Sequence, residues 1–242
     1  MLSCIHPWYS TGQLRSSRAP PLDWFGVQIV GEVKCADIPD VSVLAPAYDG
    51  VILFAGHMLD KAGRPKPRFP SSMRSLARRE IERTLDLLLE RIAGAKLAIS
   101  SAARGGDILF LEACRARGIP YLICLPYTPD RFLVTSVEGA NGDCVERFHR
   151  LLESTDAEDI RIMPELEQEG KGVYLRFNRW MIDLATELGR ELRLIALWDG
   201  REGDAPGGTA DLVRQARNLG VDVTHIDTRD LLREMEARTR EE

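Results

Sequence analysis

The 242-residue chain has no strong excess of charge of either sign, no C-x-x-C pair and no apolar run near the roughly 20 residues that a membrane span needs. Each absence excludes a class. A formal net charge of -5 supplies no global basic field, so a nucleic-acid polymer is not the expected partner. The cysteines, Cys4, Cys35, Cys114, Cys124 and Cys144, are odd in number and read as reduced thiols. The start, Met1 to Tyr9, lacks the charged-then-apolar order of a secretory leader, and a cytoplasmic protein without membrane contact is expected. His6, His149 and His225 have no companion at metal-ligand spacing and no Cys/His cluster exists, so no metal and no cofactor is expected, while His57 is the histidine best placed for a site. The motifs G-x-G-x-x-G, G-x-x-x-x-G-K-[ST] and G-x-S-x-G are also missing, which removes support for a dinucleotide dehydrogenase, a P-loop NTPase and a nucleophile-elbow hydrolase.

What is present is an ordinary globular composition, 44% hydrophobic and 29% charged, long enough to bury a substantial core. Residues 1–49 carry Pro7, Pro20, Pro21, Pro39 and Pro46 among short apolar islands and read as an arm or linker. Trp8, Tyr9, Trp24 and Phe25 imply that part of this arm packs on the domain or on a partner.

From residue 50 the pattern becomes regular. Val51 to Ala55 is a continuous apolar run ending in Gly56, as expected of a strand buried on both faces. Ile81, Leu85, Leu88, Leu89 and Ile92 then recur at helical spacing up to Gly94. The alternation continues with strand Lys96–Ser100, helix Asp107–Arg117 and strand Tyr121–Leu125. Short helices near Asp130–Val137 and Val145–Leu152 and a strand at Ile160–Met163 are expected next. A helix follows through Phe177, Met181, Leu184 and Leu188, then strand Leu192–Trp198, helix Thr209–Leu219 and strand Val221–Ile226. Such alternation implies a doubly wound α/β domain over residues 50–227, with a mainly parallel sheet and helices on both faces. Residues 228–242 read as a solvated helix in which Glu234 and Glu236 precede Arg238 and Arg240 by four residues.

In an open parallel sheet, ligands sit beyond the carboxyl ends of the strands, so the loops there are the candidates. The first is Gly56-His57. The second, Ser101-Ala102-Ala103-Arg104-Gly105-Gly106-Asp107, runs through small residues into a helix, where free N–H groups suit an anion. Arg104 could fork onto a phosphate, and Asp107 reads as a helix cap. The third candidate is Pro126. The fourth loop, from Asp199 and Gly200 to Pro206-Gly207-Gly208-Thr209, offers close backbone approach at the glycines and a hydroxyl at Thr209. Helix-entering turns favour these residue types for structural reasons alone, so the pairing of two such loops carries the inference. Arg68-Phe69 and Asn178-Arg179-Trp180 combine a cation or amide with an aromatic ring able to stack on a base, although Trp180 reads first as core.

Together, Gly56-His57, Ser101 to Asp107 and Pro206 to Thr209 resemble the SLOG superfamily of Rossmann-like nucleotide-binding domains, which includes LOG phosphoribohydrolases and the core of DNA-processing protein A. The resemblance covers roughly residues 50–227 and is nearest to SLOG-type domains of bacterial signalling and defence proteins. It implies a Rossmann-like fold and a nucleotide-derived ligand. The chain departs from the LOG pattern after Thr209, where Ala210 and Asp211 replace the Gly-Thr pair and Leu212 and Val213 stand where the family's glutamate is expected. The expected function is therefore a sensor that holds a phosphate or ribose-phosphate between two glycine loops and alters assembly with an effector or a second copy. Cleavage of a nucleotide N-glycosidic bond and a non-catalytic interaction scaffold are the alternatives.

Overall fold

The computed structural model describes residues 46–139, 142–164, 172–203 and 206–241, all within the compact unit Leu44–Glu242. The N-terminal arm to residue 45 lies outside the described residues. Among the described residues six strands form one sheet: β1 (Tyr48–Gly56), β2 (Lys96–Ser100), β3 (Tyr121–Leu125), β4 (Ile160–Ile162), β5 (Gly189–Trp198) and β6 (Asp222–Asp227). Every pairing is parallel, not merely most of them, and the order is β4-β3-β2-β1-β5-β6. Tyr48 already pairs with Gly189, so Tyr48 and Asp49 belong to the sheet and not to the arm.

The period-2 alternation of β1 divides the core. Val51 and Leu53 face one side with Leu194 and Ala196 of β5, while Ile52 and Phe54 face the other with Ile195 and Leu197. The first side is covered by α5 (Val173–Leu188) and α6 (Thr209–Asn218) through Phe177, Met181, Leu212 and Val213. The second is covered by α1 (Arg74–Arg91), α2 (Gly106–Ala116), α4 (Cys144–Glu153) and α7 (Thr228–Glu241) through Ile81, Leu85, Phe110, Phe148 and Leu231. Burying each such side chain contributes about 1.5–3 kcal/mol, which is why both faces of β1 are apolar without a break. The result is a Rossmann-like doubly wound α/β fold.

Three expectations change. The helix expected over Asp130–Val137 is a single α-turn, α3 (Pro129–Phe132), followed by a wider π-turn, Leu133–Val137. That turn presents the Ser136 carbonyl to the Arg104 N–H at 3.0 Å. Helix α1 begins at Arg74, about two turns before the expected stripe at Ile81, and Leu76 and Ala77 extend that buried stripe into its first turn after a 3-10 turn at Ser71–Met73. The C-terminal helix is not simply solvated: Thr228 and Leu231 are buried, Leu232 and Met235 pack against the core, and Glu234 reaches Arg79 of α1 at 2.7 Å as well as Arg238. No described helix is long and apolar enough to cross a membrane.

The chain winds outward from β1 through β2, β3 and β4, then returns to place β5 on the other side of β1. That reversal opens a crevice at the carboxyl ends of β1 and β5, the switch point at which doubly wound folds bind ligands.

Candidate functional site

A cavity of about 530 Å³ occupies that crevice. Its floor is the end of β1, Gly56-His57, and the turn after β2. Asp107, one residue into α2, is buried and joins these parts: it accepts the Gly56 N–H at 3.0 Å, the Ser101 hydroxyl and the Ala103 N–H. Burial outweighs those hydrogen bonds and pushes its carboxyl up to about 7. Asp107 is thus an internal tie between β1, β2 and α2 and not the helix cap, a position taken by Gly105.

The glycines of the Ser101–Asp107 turn, Gly105 and Gly106, do not line the cavity. The segment after β1 crosses directly over the start of α2: Gly106 N–H donates to His57 O at 3.2 Å, and Leu59 N–H donates to Arg104 O at 3.1 Å. A Cβ on Gly106 would lie 2.9 Å from Gly56 Cα, and one on Gly105 would lie 2.7 Å from Leu59 N. Gly105 also sits at φ +110°, ψ -120°, where L side chains are strained. Both glycines therefore serve close backbone packing. Arg104 does line the cavity and is only 4% exposed, but it spends Nε on Leu59 O (3.1 Å) and Nη1 on Glu138 O (3.0 Å). Among the described residues it forms no ion pair, and burial lowers its pKa.

The late loop combines packing with free donors that lie at the cavity. Gly207, at φ +88°, is pressed against Tyr174 of α5, and its N–H goes to Asp211. Asn178, buried on α5, donates Nδ2 to Gly207 O at 3.0 Å and Gly208 O at 3.4 Å, which holds the loop at the mouth of α6. Gly208 caps α6 without a side chain, and among the described residues the N–H groups of Thr209 and Ala210 have no hydrogen-bond partner. Pro206, Gly207, Gly208, Thr209 and Ala210 all line the cavity, so the positive end of α6 opens into it.

His57 and Arg68 form a third wall. Arg68 forks onto Asp199, Nε to Oδ2 and Nη2 to Oδ1, each at 2.8 Å. Despite its own burial, Asp199 is held well below the usual carboxylate range by Arg68, the Arg201 N–H and His57. His57 Nε2 lies 3.2 Å from both Asp199 Oδ1 and the Asp199 N–H. Burial, then the charge of Arg68, lowers the imidazole to about 4, so it is neutral at pH 7 and Nε2 accepts the N–H; the contact is not an ion pair.

The cavity therefore collects Gly56, His57, Arg68, Ser101, Arg104, Asp107, Pro206, Gly207, Gly208 and Thr209. Phe69 and Ala102 are fully buried in the core and do not line it. Pro126 is buried beyond its edge, Asp199 stands behind Arg68 and His57, and Gly200 is exposed beside Arg229. Gly105 and Gly106 support the floor from beneath. Asn178 lines the cavity, whereas Trp180 packs on Phe177 with ring centroids 5.9 Å apart. Sequence reasoning missed the hydroxyl group of three formed by Thr135, Ser136 and Tyr174, in which the Tyr174 hydroxyl lies 3.1 Å from Ser136 Oγ. No sequence signal marks them, because they meet from a π-turn and a helix 38 positions apart. Asp211 was visible only as a departure from the family pattern; its carboxylate takes the N–H of Gly207.

No family model matches the chain, and no curated protein matches it. Among solved structures it is similar to Streptococcus suis SuiB bound to S-adenosylmethionine, with a TM-score of 0.26 and 13% identity over 81% of this chain. The chain spans 44% of the length of SuiB. A likeness of that size bears on neither fold nor site, which rest on the geometry above: a Rossmann-like α/β protein with a cavity of small-molecule size at its switch point.

Proposed function

We propose that this protein binds a nucleotide-derived small molecule at the switch-point cavity, with a phosphate or ribose-phosphate at the start of α6. The observation that carries the proposal is that N–H groups at the start of α6, unsatisfied among the described residues, open into a cavity that also holds a buried arginine, Arg104, with no ion-pair partner among those residues. A dianion there meets a helix N-terminus and a desolvated cation at once. Tyr174, Phe177 and Trp198 give the same cavity apolar surface for a base, and its volume lies within the ordinary range for small-molecule sites. The SLOG resemblance supports this reading through its late motif; its middle motif serves packing.

Sensing is favoured over N-glycosidic cleavage. A hydrolase needs a carboxylate free to orient water, and among the described residues the two that line the cavity are already engaged. Asp107 holds Gly56 and Ser101, while Asp60 accepts the N–H groups of Arg68 and Phe69 at 2.8 and 2.9 Å. Ligand contact at Gly208 and Thr209 would order the late loop and so change how an effector or a second copy docks, in the manner of a signalling or defence module.

Native mass spectrometry against nucleoside mono-, di- and triphosphates, cyclic nucleotides and cyclic dinucleotides tests the proposal, with chromatography of each mixture for released base. We expect one nucleotide bound per chain, no base released, and loss of binding in Thr209→Glu, which places a carboxylate at the helix start. Failure of the whole panel to bind, or binding undiminished in Thr209→Glu, overturns the site. Base release moves the reading to the glycosidase.

A further inference from the structure

On the outer face of α1, α2 and α4, away from the cavity, a groove of about 670 Å³ is lined almost wholly by charged side chains. Arg74 and Arg78 come from one face of α1, Arg115 from the end of α2, and Arg147 and Arg150 from one face of α4. Two carboxylates sit among them. Glu112 is saturated, taking Arg147 Nε at 2.7 Å on one oxygen and Arg147 and Arg78 at 2.5 Å on the other. Asp143 takes Arg74 at 2.6 Å. At the rim, Glu146 pairs with Arg150 at 3.2 Å and Glu82 lies 3.8 Å from Arg78.

The internal pairs leave cationic capacity over. Arg74 Nε is buried with no hydrogen-bond partner, and Arg115 reaches only the Ser154 hydroxyl and no carboxylate among the described residues. Among the described residues the lining offers no aromatic and no large apolar anchor, and Ala116 is its one uncharged member. Bases have nothing to stack on and a protein partner has no hot spot to bury, whereas guanidinium forks suit a compact oxyanion of high charge density. We propose that this groove is a second anion site that binds a polyphosphate-type ligand, independently of the cavity.

Isothermal titration of the full chain with inorganic tripolyphosphate, at two salt concentrations, tests it. The expected result is saturable binding that weakens with salt, falls at least tenfold in the double variant Arg115→Ala/Arg150→Ala, and persists in Thr209→Glu. Both replaced arginines are exposed, and the circular dichroism melt reports on folding. Hydrogen exchange of the unaltered protein adds a readout that needs no variant: tripolyphosphate should protect α4 and the end of α2. Absence of binding, equal binding by the double variant, protection confined to the start of α6, or loss in Thr209→Glu alone would each overturn the proposal.

Discussion

His57 Nε2 accepts the backbone N–H of Asp199 at 3.2 Å, so the residue after β1 is tied to the residue after β5 across the switch point. The tie needs a neutral imidazole, and burial supplies one by lowering its pKa to about 4. The unfolded chain protonates this imidazole near 6.5, so between pH 6.5 and 4 it binds more protons than the folded one. Stability from His57 is present above pH 6.5 and is lost as pH falls through that window, by at most about 3 kcal/mol.

Asp107 acts with the opposite sign. Its folded pKa of about 7 lies above the unfolded 3.8, so the folded state binds more protons between those values and stability falls as pH rises, by at most about 4 kcal/mol. The two slopes oppose each other, and denaturant midpoints of the unaltered protein should change little from pH 4 to 6.5. His57→Gln should unmask a midpoint that declines with rising pH, and Asp107→Asn one that climbs. Parallel profiles for both variants would show that neither group titrates as described.

The glycines of the two loops should separate stability from binding. Gly105→Ala meets Leu59 N and His57 O at a positive φ and should cost at least about 2 kcal/mol in chemical denaturation. Gly208 has φ -79° and ψ -172°, backbone that any residue adopts, so Gly208→Ala should leave the melting temperature within about 2 °C. Its effect should appear in nucleotide affinity, since the added methyl lies at the start of α6.

Asn178→Ala removes the amide that holds Gly207 and Gly208. Loss of a buried donor leaves two carbonyls less satisfied, and a drop of about 1–3 kcal/mol is expected. Amide exchange over residues 206–213 should quicken more than that of β1, a pattern that uniform destabilisation would not give.

Arg68→Ala strips the forked partner from Asp199, which is 4% exposed, and should cost about 3 kcal/mol at pH 7. Because Arg68 also lowers the His57 pKa, the imidazole should titrate at higher pH in the variant. Proton NMR of the His57 ring follows this directly, and an unmoved titration would exclude the coupling.

Periodicity along the chain was enough to place most of the strands and helices and the loops between them, though not the π-turn at Leu133–Val137 or the packing of the last helix. Val51 to Phe54 reads as a strand covered on both faces, and Ile81 to Ile92 as a helix with one buried stripe, because such patterns record burial within a single element. Hydrogen-bond partnership is not recorded in this way. The Ser101–Asp107 turn and the Pro206–Thr209 loop look alike as sequence, yet Gly105 and Gly106 are packed under the segment after β1 in the first, while Gly207 and Gly208 line the cavity in the second. The partners that decide the difference lie far apart, 51 positions for Gly56 with Asp107 and 142 for His57 with Asp199. Only the parallel sheet brings those groups within reach, by setting β2 on one side of β1 and β5 on the other, and so tertiary structure determined which glycines are packed away from the cavity and which line it.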